Sequence, residues 1–182
     1  MRRLAIALAL LMPLALVGCG EKEAAKLPPP HQMTAEAVGR YCGMNVLEHP
    51  GPKGQIFAAS LIEPVWFSSV RDTLAFTMLP DEPKDIQAIY VTDMGKAPSW
   101  EKPGADNWVE ARKAQFVIES RAKGGMGGNE AVPFSERSAA EKFVAENGGR
   151  IVAFADVPRD YVLGSGDEKT QDDGASGRGP AE

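Results

Sequence analysis

The chain repeats itself weakly, and that repeat limits what it can fold into. "QIFAAS" at 55–60 matches "QFVIES" at 115–120, both short β-prone runs that open on Gln and close on Ser. "WFSSVRDTLAF" at 66–76 then lies over "PFSERSAAEKF" at 133–143, pairing Phe67 with Phe134, Ser68 with Ser135 and Phe76 with Phe143. Each Ser follows an apolar strand and precedes a helical pattern, so its hydroxyl is expected to cap the first free N–H groups of a helix. Val70, Leu74 and Phe76 or Thr77 supply the buried stripe of the first helix, and Ala139, Ala140, Phe143 and Val144 that of the second. A strand follows each helix, "IQAIYVTDM" at 86–94 and "RIVAFADV" at 150–157, the latter preceded by "ENGG", a helix stop. The expected fold class is therefore α+β, two small homologous ββαβ modules packed or linked in tandem. A single sheet made from all six strands is the alternative that pattern alone leaves open. One half alone buries little apolar surface, so the halves are expected to support each other.

The offset between copies is 60 residues at Gln55 and Gln115 but 67 at Phe67 and Phe134. The second hairpin thus holds extra residues, largely "KGGMGG", which put Met126 on a backbone expected to be mobile. The modules are drawn at 35–97 and 98–163. The second includes most of "GKAPSWEKPGADNW", whose Pro, Gly and two Trp suggest a packed connection rather than a loose linker.

Outside the repeat nothing has an apolar period that could fold. Met1-Arg2-Arg3 and the apolar run "LAIALALLMPLALVG" read as a signal peptide over 1–18, too short and wrongly flanked for a spanning helix. It ends in "LVGC", which resembles the lipobox at which bacterial lipoproteins are cut and diacylated on the new N-terminal Cys. Cys19 is then the lipidation site, the chain is anchored in the periplasm, and Gly20 favours the outer membrane over the inner. Residues 19–34, "CGEKEAAKLPPPHQMT", read as a lipidated flexible tether, and 164–182, with glycine and acid but no large apolar side chain, as a disordered tail. Lys and Arg number 20 against 25 Asp and Glu, a net charge of −5, and loss of Arg2 and Arg3 with the signal peptide leaves −7. That balance argues against a nucleic-acid partner.

Two cysteines occur, and with Cys19 committed to lipid, Cys42 in "RYCGMNVLEHPGP" has no partner. The periplasm is oxidising, so structural cysteines there usually pair. An unpaired one points to intermolecular pairing or to a thiol kept for chemistry. Thiolate and thioether together select Cu(I), a soft ion, whereas structural zinc wants four N or S ligands and rarely takes Met. Cys42 and Met44 are two apart, so an extended backbone would put both on one face. Met126 could close over the same ion, and His49 could add a nitrogen. The plainer readings make Cys42 an inert small hydrophobe, Met44, Met78 and Met94 core filler, His49 a loop residue, His31 part of the tether, and Asp93 and Glu48 solvated acids. A thiol redox protein is a rival reading, but neither CxxC nor a resolving cysteine accompanies Cys42. A lipoprotein adaptor that binds no metal is another.

"CGMNVLEHPGPKGQIF", "WFSSVRDTLAFTMLPDEPKD", "IYVTDMGKA", "NWVEARKAQFVIES" and "GGMGGNEAVPFS", in that order, resemble the NosL family of accessory lipoproteins of nitrous oxide reductase. The resemblance implies a copper chaperone that binds Cu(I) and supplies it for assembly of the reductase's copper–sulfur cluster, beside a membrane ABC-type complex. It also implies a fold of two ββαβ modules, similar to part of organomercurial lyase, without that enzyme's reaction, because only Cys42 is left to handle a metal. No catalysis is expected. Carried over residue by residue, the implied metal ligands are Cys42 and Met44 in CGM and Met126 in GGMG, with His49 next.

Overall fold

The computed structural model describes residues 26–164; the signal peptide, Cys19 and all of the tail beyond Gly164 lie outside them. Ten regular elements follow in order: β1 (Gly54–Ala58), β2 (Val65–Phe67), α1 (Val70–Met78), β3 (Ile86–Thr92), β4 (Trp108–Glu110), β5 (Gln115–Ile118), β6 (Val132–Phe134), α2 (Arg137–Asn147), β7 (Arg150–Ala153) and α3 (Arg159–Leu163). They form two sheets, with strand orders β2-β1-β3-β4 and β6-β5-β7. Every strand pair is antiparallel. The six strands of the repeat therefore do not join into one sheet. The run strand, strand, helix, strand occurs twice, each time with its first strand in the middle of its three. The stretch taken as a connection, 95–108, runs at Trp108 into β4, which pairs with β3 through Tyr90 and Glu110, Val91 and Val109, and Thr92 and Trp108. It belongs to the first sheet.

The strand β1 is covered on both faces. Ile56 points with Ile89 into a core that also takes Phe67, Leu74 and Phe76. Gln55 and Phe57 point the other way, beside Tyr90. That second face is covered by residues 28–33, part of the expected tether. The His31 N–H donates to Gln55 Oε1 at 2.8 Å, Gln55 Nε2 donates to the His31 carbonyl at 2.9 Å, and the Tyr90 hydroxyl donates to the Pro28 carbonyl at 2.7 Å. Met33 is 3% exposed, packed near Val46 and the two rings Trp66 and Trp108. Polar Gln55 can be fully buried because its amide is satisfied by backbone on this segment.

One core serves both halves. Phe116 and Ile118 of β5, with Val157 and Val162 beyond β7, pack into the same cluster as Ile56, Leu74 and Phe76. Fully burying a side chain of that size contributes about 1.5–3 kcal/mol, so separating the halves forfeits several such terms. The opposite face of β5 and β6, through Val117, Val132 and Phe134, packs against Ala140 and Phe143 of α2 and against Met94 and Trp100.

The helix boundaries have local causes. α1 starts at Ser69, whose hydroxyl accepts from the Asp72 N–H at 3.0 Å, and stops before Pro80. α2 stops at Gly148, where φ is +71° and the Gly148 N–H donates to Val144 O, as "ENGG" leads one to expect. The expected caps Ser68 and Ser135 do not cap. Glu136 precedes α2 without a side-chain bond, and both aligned serines turn to partners elsewhere in the fold.

Candidate metal site

Cys42 sits on a tight turn, not on the extended backbone that its spacing from Met44 suggested. The Gly39 N–H donates to Met44 O and the Gly43 N–H to Gly39 O, both at 2.9 Å, and Val38 bridges Asn45. Gly43 takes φ +66°, a conformation costly for other residues. The turn is tied to the edge of the first sheet by the Arg40 N–H, which donates to Trp66 O at 2.8 Å. It therefore hangs beside the end of β2, where Ser68 follows. There the half-buried Cys42 Sγ lies 3.1 Å from Ser68 Oγ.

A cleft of about 280 Å³ opens at this sulfur. Tyr41, Cys42 and the start of α1 (Ser69, Arg71, Asp72) form one wall, and Gly124, Met126, Gly128 and Asn129 the other. The two walls come from the two halves of the fold. Met126 is 57% exposed at the tip of a hairpin closed by Lys123 and Asn129, whose side chains bond at 2.6 Å. Its glycines permit close approach as well as freedom. A Cβ on Gly124 would stand 2.8 Å from Glu130 Oε2, and one on Gly125 2.7 Å from Pro50 O. The loop lies down on the protein there, and only its tip at Gly127 meets open space.

Of the four candidate ligands, Cys42 and Met126 share this cleft. Met44, 40% exposed, stands next to it on the turn but does not line it. His49 lines a separate cleft of about 190 Å³ with Met33, Lys53 and Pro103, and its Nε2 is buried without a hydrogen-bond partner. Gly125 lies between, against the His49 Cβ. Among the described residues no group of three or more His, Cys, Asp or Glu side chains is arranged to hold a metal. The cleft thus offers two sulfur donors, which suit a soft ion, with Asp72 also in its lining.

Two buried titratable groups lie behind it. Glu130 is wholly enclosed; its Oε1 accepts from the Arg71 and Ala131 N–H groups at 2.9 Å, and its Oε2 has no partner. Burial pushes its pKa up to about 8, against the lowering effect of those two bonds. Burial likewise brings Lys53 down to about 8, opposed by the charge of Glu130, while its ammonium donates to Pro50 O at 2.9 Å and Gly51 O at 2.5 Å. Asp93, expected to be solvated, is 1% exposed. Its carboxylate accepts from Ser135 Oγ at 2.5 Å, from the Ser135 and Gly95 N–H groups at 3.1 Å, and pairs with Lys96 at 3.2 Å. Glu48 is exposed, as expected.

The family pattern for NosL matches residues 30–162. The copper-binding lipoprotein NosL of Achromobacter cycloclastes is 46% identical over 151 residues, 82% of this chain and 78% of that protein. The copper-binding lipoprotein NosL of Stutzerimonas stutzeri is 32% identical over 157 residues, covering 82% and 77%. The crystal structure of the copper chaperone NosL from Shewanella denitrificans superposes with a TM-score of 0.67 at 31% identity, over 72% of this chain and 98% of that one. With residues 30–162 matched and two sulfur side chains facing one cleft, this chain belongs to the NosL family.

Proposed function

We propose that this protein is a periplasmic, lipid-anchored Cu(I) chaperone that delivers copper for assembly of the copper–sulfur cluster of nitrous oxide reductase, working beside that enzyme's membrane ABC-type complex. The observation that carries this reading is the placement of the Cys42 thiol and the Met126 thioether on opposite walls of one open cleft. The names of the relatives, copper-binding lipoprotein and copper chaperone, support it. Copper is cargo here, so no catalysis is assigned. Lipid on Cys19, in the outer membrane, is part of the same proposal, as is the descent of the two strand-strand-helix-strand halves from one duplicated unit.

Cys42 is the thiolate donor and Met126 the thioether that closes from the hairpin tip. Met44 reaches the ion by a rotamer change on the exposed turn. His49 serves as a further donor only if the Gly125 segment moves aside. A site with few soft ligands and an open face suits delivery, because an acceptor's ligand can attack before a donor ligand leaves. The exposed side chains of Val38, Tyr41, Met44, Leu47 and Met126 give the turn and hairpin that flank the cleft an apolar surface for such an acceptor to press on.

The test is anaerobic titration of the reduced soluble protein with Cu(I) against a chromogenic chelator, beside Cys42→Ser and Met126→Ala. Binding that collapses in Cys42→Ser supports the soft-metal site; binding indifferent to Cys42 rejects it and favours an adaptor. Met126→Ala is expected to speed Cu(I) loss while melting stays unchanged, and an unaltered off-rate removes Met126 from the ligand set.

A further inference from the structure

We propose that Ser68 is a positioning residue for Cys42, the one hydrogen-bond donor that holds the copper-bearing sulfur in place. The inference rests on the copper reading above. Ser68 is 2% exposed, and among the described residues its hydroxyl has no hydrogen-bond partner other than Cys42 Sγ, at 3.1 Å. A buried hydroxyl without a partner is costly, so this one is committed to sulfur. The other hydrogen-bond partners of that sulfur are carbonyl oxygens, Met44 O at 3.9 Å and Gly39 O at 4.0 Å.

The identity of those neighbours decides what Ser68 does. As a thiol, Cys42 has a hydrogen to give, and Ser68 Oγ and both carbonyls are acceptors for it. When Cu(I) binds, the S–H bond breaks, the proton passes to buffer and a Cu–S bond forms. The sulfur then has nothing to donate and faces two carbonyl oxygens that can only accept. Ser68 reverses, donating its O–H to the sulfur, which no carbonyl can do. The hydroxyl therefore serves both forms of Cys42, with its greater effect on the loaded one. Such outer partners fix the orientation of a metal ligand and tune its basicity.

The fold has made room for this contact. A Cβ on Gly39 would stand 2.6 Å from Cys42 Sγ and 2.8 Å from Ser68 Oγ, so any larger residue there forces sulfur and hydroxyl apart. Two substitutions thus break the same bond from different sides: Ser68→Ala removes the donor, and Gly39→Ala keeps it but wedges a methyl against the pair.

Both variants are titrated with Cu(I) against the chelator, in the same soluble form as wild type and Cys42→Ser, and the near-ultraviolet band of the thiolate–Cu(I) unit is recorded. Ser68→Ala is expected to weaken Cu(I) retention about tenfold and to move the band to longer wavelength, because a sulfur that loses a hydrogen-bond donor holds its lone pairs less tightly. Gly39→Ala should do the same, and it decides the matter if Ser68→Ala does not fold. Wild-type affinity and band in either folded variant, with Cys42→Ser abolishing binding, overturns the role of Ser68 and leaves the copper reading standing. Weaker binding with an unmoved band makes Ser68 a packing residue and overturns it too. Absence of Cys42-dependent binding in the wild type overturns both.

Discussion

The starts of α1 and α2 hold the same place in the two halves of the chain and are built differently. Each receives a buried carboxylate from the other half: Glu130 accepts from the Arg71 N–H at α1, and Asp93 from the Ser135 N–H ahead of α2. Asp93 is fully engaged, with Ser135 Oγ, Gly95 and Lys96 all bonded to it. Glu130 keeps one oxygen without a partner, beside the loop that carries Met126. Ser135 therefore spends its hydroxyl on joining the halves, while Ser68, at the matching position, is left free to meet a sulfur. A repeated unit can thus turn one copy of a position into a structural strut and leave the other for chemistry.

The helices differ in the same sense. α1 buries Val70, Thr73, Leu74, Ala75 and Phe76, whereas only Ala140 of α2 is fully covered. The largest expected effect follows from this. Leu74→Ala should lower stability by about 3 kcal/mol, and Phe143→Ala, a bigger truncation at a half-buried site, by only about 1 kcal/mol. Denaturant unfolding measures both, and equal losses would end the contrast between the helices.

Asp93→Ala comes next, at about 2 kcal/mol near neutral pH, because it strands the Ser135 and Gly95 donors. Burial raises the Asp93 pKa, but the bonds from Ser135, Lys96 and Gly95 outweigh it and leave the carboxyl below its usual 3.8. Its stabilisation is accordingly present above that value and is lost as pH falls through the lower folded one. The gap between wild type and Asp93→Ala should narrow as pH falls below 3.8; a gap that stays constant through acid contradicts this account.

Glu130 gives the opposite sign. Its folded pKa, pushed up to about 8 by burial, lies above the 4.5 of an ordinary Glu. The stability linked to this site is whole below 4.5 and is lost as pH rises through 8. Glu130→Gln keeps an acceptor for Arg71 and removes the titration. The variant should therefore gain steadily on wild type as pH rises from 5 to 8. A constant difference across that range would mean that Glu130 is already hydrated and is no counterpart to Asp93.

The sequence carried these features unequally. The doubled order of strands and helix was legible because apolar residues at period two and at helical spacing leave a local trace, as at Ile56 and Leu74. Cys42 and Met126 were legible through their chemistry, the one lacking a partner and the other set among glycines. The reciprocal carboxylates were not, since Asp93 meets Ser135 across 42 residues and Glu130 meets Arg71 across 59, with no spacing to announce either. Nor could spacing show that the turn at 39–44 leaves Met44 out of the cleft lining, or that the glycine loop separates His49 from Cys42's cleft. The serines were misread for a related reason: a hydroxyl ahead of a helix suggests a cap, and nothing local reveals a stronger partner elsewhere.

The hydrogen bond from Tyr90 to the Pro28 carbonyl has a consequence for reach. It fastens the chain to the domain nine residues after Cys19, so a lipid on that cysteine holds the domain on a leash of at most about 32 Å. The cleft then patrols a thin layer above the bilayer and never the open volume of the compartment. On the delivery proposed above, a recipient standing in the same membrane would meet it at high local concentration, while one adrift in solution would have to come down to the surface.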